Sequence, residues 1–497
     1  MVMRKLVPLL LILLMLPLAT GCDNPLNLDI NKDPDAATSV PGDLLLPTVL
    51  ATIGANRSIE ISPGTALFTQ IWASSGSAGV FVDPERYTIS SFTTGNSWNA
   101  FYTTGLKNLL LMREQALEAD PQRVNVAAQS EIMSAYTFWM LTSLWGTVPY
   151  TQALNGAEYP KPLFDDQETV LHGILTKLDS ATTMIDPNGL EGVQSGDLVY
   201  GGDMGLWRRF ANSLKLRTLM MIRNKDQSVD AQITALLSQP LIRENSQEAD
   251  IPFFNTTNNE NNVWKLNNMF GGFTNAMNGN EFLFAGDTLV NMMKAVGDPR
   301  LATYFEYAVN DFNTGPDGGG AATNEYFGQL PGVTDWNDAH SSMVSQNIIR
   351  RDWPSRIATA AETWLYEAEF LAETGDLPGA FTSYQAGIRR GLDYFDGKPG
   401  AIAAADKQAY LDNLPQSFSS AQQALNAIHA QEYFEVFDRS PENWVYWKRT
   451  HYPALPLPEQ AVLGNVIRRY PTPPDEVSAN PNAPSGIALD LPMWFEK

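Results

Sequence analysis

The sequence predicts a mainly α fold, a scaffold of antiparallel helix pairs that carries a long loop-rich insertion. Three observations carry this. Apolar residues recur at three-and-four spacing in several long windows, as in Trp98, Phe101, Tyr102, Leu106, Leu109 and Leu110. One helix pair falls into a register of about 34 residues. Between Ile251 and Arg350 the helical period thins while asparagine and aromatic residues accumulate. In 497 residues, 44 % are hydrophobic and 18 % charged, with 23 Phe, 17 Tyr and 12 Trp, which is a globular composition with ample core. Against 55 Asp and Glu stand 33 Lys and Arg, and a formal charge of −22 repels phosphate backbones, so nucleic acid is excluded as a partner.

The elements follow in order. Arg4 and Lys5 precede an aliphatic run, Leu6 to Leu18, and the small residues Ala19, Thr20 and Gly21 lead to Cys22, the single cysteine of the chain. This reads as an export signal over 1–21. At about 13 residues the run is too short to span a bilayer. Cysteine directly after Leu-Ala-Thr-Gly resembles the lipobox of bacterial lipoproteins, which implies lipidation of Cys22. Residues 22–42, rich in Asn, Asp and Pro, read as a tether, and 43–497 as one domain. Helices are expected over Ser97–Glu118 and Val124–Trp145, the second stopped by Gly146 and Pro149. A third follows a capping-box pattern at Asp165 and Glu168, and a fourth carries Trp207, Phe210 and Leu214 on one face and Arg208, Arg209, Lys215, Arg217 and Arg223 on the other. Shorter pieces are expected at Asp287–Val296 and after Asp298 as N-cap with Pro299 at N1. The scaffold thus occupies about 97–223 and 358–449, the loop-rich face about 251–350, and 450–497 is a proline-rich wrap. Within the second helical block, Trp364, Ala368, Leu371, Ala380, Tyr384 and Gly387 take the tetratricopeptide-type positions, the small residues marking where two helices touch.

Phosphate-loop, dinucleotide, nucleophile-elbow and H-E-x-x-H patterns do not occur in the sequence. His172, His340, His429 and His451 have no ligand spacing among them, so neither metal nor cofactor is expected. The run from Asp311 to Gly320 lacks the terminal acid of a calcium loop and reads as a turn. Glu362 with Glu367 or Glu369 could supply a glycosidase acid pair, but on a helix such residues read as solvated or paired with basic neighbours. The distinctive segment is Asn255–Phe282, in which ten asparagines interleave with Trp264, Phe270, Phe273 and Phe282. Amides match the donors and acceptors of sugars or peptides, and aromatic faces supply an apolar platform. Further clusters hold Trp72, Phe81, Tyr87 and Phe92, and Tyr326, Phe327, Trp336 and Trp353. From these, Trp72, Trp264, Phe270, Asn278 and Trp336 are the expected ligand contacts.

Several stretches together resemble the SusD/RagB family of outer-membrane nutrient-binding lipoproteins of Bacteroidota. They are Leu26-Asn27-Leu28-Asp29-Ile30-Asn31 with Pro34, Leu144-Trp145-Gly146-Thr147-Val148-Pro149-Tyr150, Gly202-Asp203-Met204 running into Phe210-Ala211-Asn212-Ser213-Leu214-Lys215-Leu216-Arg217, and Asp298-Pro299-Arg300-Leu301. The stretch from Ala361 to Gly375, Glu442-Asn443-Trp444 with Trp447, Lys448 and Arg449, and Arg468-Arg469-Tyr470-Pro471 with Glu476 and Asn480 complete the pattern. The resemblance implies a SusD-like fold, non-catalytic capture of oligosaccharide or peptide on a loop-rich face, and a seat as lid on a SusC-like TonB-dependent transporter in the outer membrane. Phe210, Leu214, Trp145 and Trp207 read as scaffold core and Arg217 as a buried ion-pair or capping residue. A surface glycosidase, needing two carboxylates about 5–9 Å apart in a cleft, and a structural tetratricopeptide-type adaptor binding protein through a helical groove are the alternatives.

Overall fold

Helices account for most of the chain because the apolar stripes demand a partner surface, which several find in the next helix, as the helix over Val124–Trp145 does in that over Gln167–Met184, and others in helices far along the chain. The computed structural model describes residues 40–74, 81–269, 283–308, 324–333 and 341–497. Helix α1 (Gly42–Asn56) runs through a π-turn (Arg57–Ile61) into α2 (Ser62–Phe68), strand β1 (Trp72–Ser74) follows, and α3 (Val82–Glu85) is a single turn. Helix α4 (Ser91–Asn99), a π-segment (Ala100–Leu106) and α5 (Lys107–Glu118) form one continuous helical run. The helix expected over Ser97–Glu118 therefore starts earlier and is interrupted by wider π-turns around Gly105, where the i→i−4 ladder gives way.

Helix α6 (Val124–Trp145) has the predicted limits, and every residue from Asn125 to Trp145 is buried. It is the central helix, enclosed by α5, α7 (Gln167–Met184) and α8 (Met204–Arg223). The cap of α7 is Asp166, which accepts from the Thr169 amide at 2.7 Å. Asp165, the expected cap, instead accepts from the Tyr150 and Thr151 amides and holds the preceding turn. On α8 the basic face divides: Arg208 and Arg209 donate to the carbonyls of Thr182, Ile185 and Leu241, Arg217 is buried in an ion pair with Glu362, one of the two roles read for it, and Arg223, expected on the polar face, is buried.

A short helix α9 (Asp230–Leu237) and strand β2 (Ala249–Ile251) lead to α10 (Asn262–Met269), so the asparagine-rich stretch starts in turns and then holds a helix where a loop was expected. Strand β3 (Leu283–Ala285) pairs antiparallel with β1, Trp72 opposite Ala285. Helix α11 (Asp287–Val296) has the predicted bounds and ends on Gly297 in the left-handed conformation. The next helix, α12 (Leu301–Tyr304), is a single turn; Asp298 Oδ1 accepts the Arg300 amide at 2.9 Å, as an N-cap before Pro299 does, and the buried carboxylate also forms an ion pair with the Arg300 guanidinium. Strand β4 (Ser355–Ala358) pairs with β2. The second helical block consists of α13 (Ala360–Thr374) and α14 (Leu377–Asp393), then α15 (Ala404–Asn413), α16 (Ala421–Glu435) and α17 (Glu442–Thr450). Helix α13 lies on α14 and α16 and also on α8, which joins the two blocks. At Gly387 a Cβ would stand 2.8 Å from Leu365 Cγ, so the tetratricopeptide-type contact between α13 and α14 requires the small residue. Residues after 450 are extended apart from α18 (Pro474–Ala479), and pin back on α6: Tyr470 N–H donates to the Leu144 carbonyl and Trp145 Nε1 to that of Pro471. Residues Gly42–Lys497 form one compact unit.

Candidate ligand-binding cleft

Two kinds of polar group are buried here, and they do different work. The first is an ionic spine between the helical blocks. Arg217 on α8 holds Glu362 on α13 in a fork, Nε to Oε1 at 2.9 Å and Nη2 to Oε2 at 2.7 Å, and Arg439 reaches the same carboxylate at 2.8 Å. Arg57 pairs with Glu442 at 3.0 Å, and Arg356 bridges Glu248 and Asp438 at 3.2 Å each. Burial alone would raise Glu362, but the two guanidiniums override it and hold the carboxyl down at about 2. Glu362 therefore stays ionised and arginine-bound, as does Glu369 against Arg449 at 2.6 Å, and Glu367 pairs with Arg243. A carboxylate so held cannot serve as a general acid near neutrality, and this argues against the acid pair weighed from the sequence.

The second is Glu85, which fastens α3 to β1. Its Oε1 accepts from the Ser74 amide at 3.0 Å and its Oε2 from the Ser74 hydroxyl at 2.6 Å. Burial pushes this carboxyl up to about 7 against those hydrogen bonds. Phe81, beside α3, lines a cleft of about 520 Å³.

That cleft is assembled from distant parts of the chain: Ile59, Gly64 and Phe68, then Phe81 to Thr94, Leu266 from α10, and Tyr470 from the C-terminal wrap. Its floor is aromatic and continuous with the core. Phe68 lies 5.0 Å from the Trp444 ring and 6.1 Å from Tyr470, and Tyr470 lies 5.6 Å from Trp145. Gly64 lets the Tyr470 hydroxyl come within 3.1 Å of where a Cβ would stand. Asp83, Thr88 and Ser90 stand exposed on the rim. An apolar floor edged by hydroxyls and a carboxylate can take the C–H face of a sugar while the rim bonds its hydroxyls. The volume is that of a small-ligand site. A second cleft of about 400 Å³ lies on the helical scaffold, where Glu131 sits between Arg113 and Lys177, its charges satisfied internally.

Of the five expected contacts, Trp72 and Trp264 lie among the described residues. Trp72, expected on a ligand face, is buried: it sits in β1 edge-to-face on Phe437 at 6.0 Å and lines only a cavity of about 40 Å³, room for about one water. Trp353 and Tyr87 are likewise core. Trp264 is half-buried on α10, two residues from Leu266, with the Arg351 guanidinium over its ring at 5.0 Å and Glu260 steadying that arginine at 2.7 Å. Phe270, Asn278, Trp336, Cys22, His340 and the Asp311–Gly320 run lie outside the described residues. Phe81 came from the aromatic cluster with Trp72, and Tyr470 from a stretch that carried the family resemblance but no binding role; Ile59, Phe68 and Leu266 carried no signal in the sequence beyond hydrophobicity.

A mainly helical scaffold thus carries a ligand-sized cleft between α2, α3, α10 and the C-terminal wrap. Residues 34–473 match the SusD-like family described as "Starch-binding associating with outer membrane", and the chain belongs to that family. Among solved structures, a SusD-like protein of Bacteroidetes superposes with a TM-score of 0.77 at 20 % identity, covering 92 % of this chain and 100 % of that one. A chitin-binding protein gives 0.75 at 22 % identity over 88 % and 94 %, and a SusD homolog from Bacteroides fragilis 0.73 at 21 % over 92 % and 100 %. At these identities the likeness establishes the fold. No curated protein matches significantly. Among the described residues no helix is long and apolar enough to cross a membrane.

Proposed function

We propose that this protein is a lipid-anchored, cell-surface capture protein that binds oligosaccharide and delivers it to a SusC-like TonB-dependent transporter in the outer membrane. The observation that carries the reading is the cleft with the Phe68–Phe81–Tyr470 floor and the Asp83–Thr88–Ser90 rim, set on a SusD-like scaffold. The family description, and the chitin-binding protein among the structural neighbours, favour a glycan over a peptide. Residues 1–21 act as the signal, Cys22 takes the lipid, and 22–42 tether the single SusD-like domain from 43 onward. Trp264, with Phe270, Asn278 and Trp336, extends the ligand face beyond the cleft; Trp72 serves packing. A lid that must hand cargo on needs a shallow, wet site, which suits an open aromatic cleft. Calorimetry against malto-oligosaccharides, chito-oligosaccharides and peptides tests this, with Phe81→Ala and Asp83→Ala as variants. Saccharide binding that falls at least tenfold in the folded fraction of both, with melting unchanged in Asp83→Ala, is the expected result. Full affinity in both variants moves the site to Trp264 and its neighbours, and binding of peptides alone overturns the glycan reading.

A further inference from the structure

Helices α13 and α16 face each other across a second, unrelated constellation. Glu369 projects from α13, and His429 and Glu432, three residues apart, share a face of α16. One ligand atom from each residue lies within 4.8 Å of the other two, and all three side chains are buried. Glu369 Oε2, His429 Nε2 and Glu432 Oε2 have no hydrogen-bond partner among the described residues. The imidazole nitrogen approaches Glu369 Oε1 only to 3.4 Å. One cation, Arg449, serves both carboxylates, at 2.6 Å from Glu369 and 3.5 Å from Glu432. Two buried carboxylates thus share one guanidinium and one imidazole, an arrangement that a further cation would stabilise in a low-dielectric interior.

From this geometry we propose that Glu369, His429 and Glu432 together bind one divalent first-row metal ion, of the zinc type, as a clamp between α13 and α16. A neutral imidazole and two carboxylates are a borderline-hard donor set that zinc accepts. A proton is the rival cation: burial and Glu369 push the Glu432 carboxyl up strongly. A single proton, however, makes one hydrogen bond and satisfies two of the three unpartnered atoms, whereas a metal ion satisfies all three. An ion centred in a triangle of 4.8 Å edges stands about 2.8 Å from each corner, so closing to about 2.1 Å asks each ligand atom to move about 0.7 Å, within reach of carboxylate and imidazole rotation. Arg449 stays on Glu369 Oε1 and orients that carboxylate as an outer partner. The histidine spacings gave no sign of this site, because two of its three ligands are acids and the third helix residue comes from 60 positions away.

The test uses the purified full chain, stripped with chelator and dialysed against Zn²⁺. Expected are one zinc per chain by elemental analysis, a raised melting temperature, and an affinity at least tenfold weaker in His429→Gln and Glu432→Gln. Cobalt substituted into the wild-type chain gives a readout independent of variant folding: visible d–d bands of a four- or five-coordinate site with nitrogen ligation are expected. The proposal is overturned by a wild-type chain that shows no such bands, by equal zinc uptake in wild type and the folded double variant, or by a Glu432→Gln chain that melts higher with its metal content unchanged, the mark of a buried proton.

Discussion

At Glu362 two guanidiniums outweigh burial, and at Glu85 burial outweighs the hydrogen bonds of Ser74 and Gly332 and the charge of Arg86; the two acids consequently pull stability in opposite directions with pH. Glu362 is lowered from 4.5 to about 2, so its contribution is present above the unfolded value and lost as pH falls through about 2. Replacing it by Ala leaves Arg217 with Glu442 at 3.3 Å and Arg439 with Glu435 at 2.7 Å but removes the carboxylate they share in the interior, and a loss of about 3 kcal/mol is expected in chemical denaturation at pH 7. Glu85 is raised from 4.5 to about 7, so its contribution is full below the unfolded value and lost as pH rises through about 7. Glu85→Gln keeps a partner for Ser74 and removes the charge. Its melting temperature relative to wild type should therefore climb between pH 5 and 8, by the equivalent of roughly 3 kcal/mol. A flat difference across that range would mean that Glu85 is solvated. Neither role was legible in the sequence: an acid on an apolar-period helix reads as solvated or paired, and only the fold chooses between them.

Among the elements, the helix pair α13–α14 turns on Gly387. In an exposed helix Gly→Ala adds about 1 kcal/mol of stability. Here the added methyl meets Leu365 Cγ at 2.8 Å and the Ala361 carbonyl at 3.2 Å, and overpacking of this kind costs about 1–3 kcal/mol. Gly387→Ala is therefore expected to lower the melting temperature, and a rise would show that the pair can separate without loss. Helix limits were legible wherever apolar period and terminator agreed, as in Val124–Trp145 with Gly146 behind it and Asp287–Val296 with Gly297. They were not legible where the signal was shared by neighbouring groups. Two adjacent acids, Asp165 and Asp166, offered the same cap, and the chain used one for the helix and the other for the turn. The π-segment Ala100–Leu106 keeps an apolar stripe that a 3.6-residue period also fits, so periodicity could not reveal it.

At the scale of the whole molecule the scaffold and the ligand face separate, and so do their tests. Phe210 and Leu214 are fully buried on α8, and Phe210→Ala should cost about 2–5 kcal/mol while the folded fraction binds saccharide as before. Cys22→Ser removes the only thiol in the chain, so the protein should move from the membrane to the soluble fraction with its melting unchanged. Continued membrane retention would overturn the anchor. What the sequence determined by itself was local: helical periods, terminators, the two helical blocks and the tetratricopeptide-type contact, because each depends on residues within a few turns of one another. The tertiary structure alone decided which aromatic is floor and which is core, so that Phe81 edges the cleft while Trp72 is buried. It also decided that Arg217 meets Glu362 and that Ile59, Leu266 and Tyr470 share one wall. Burial and charge compensation are sums over groups far apart in the chain, and no local pattern contains those sums.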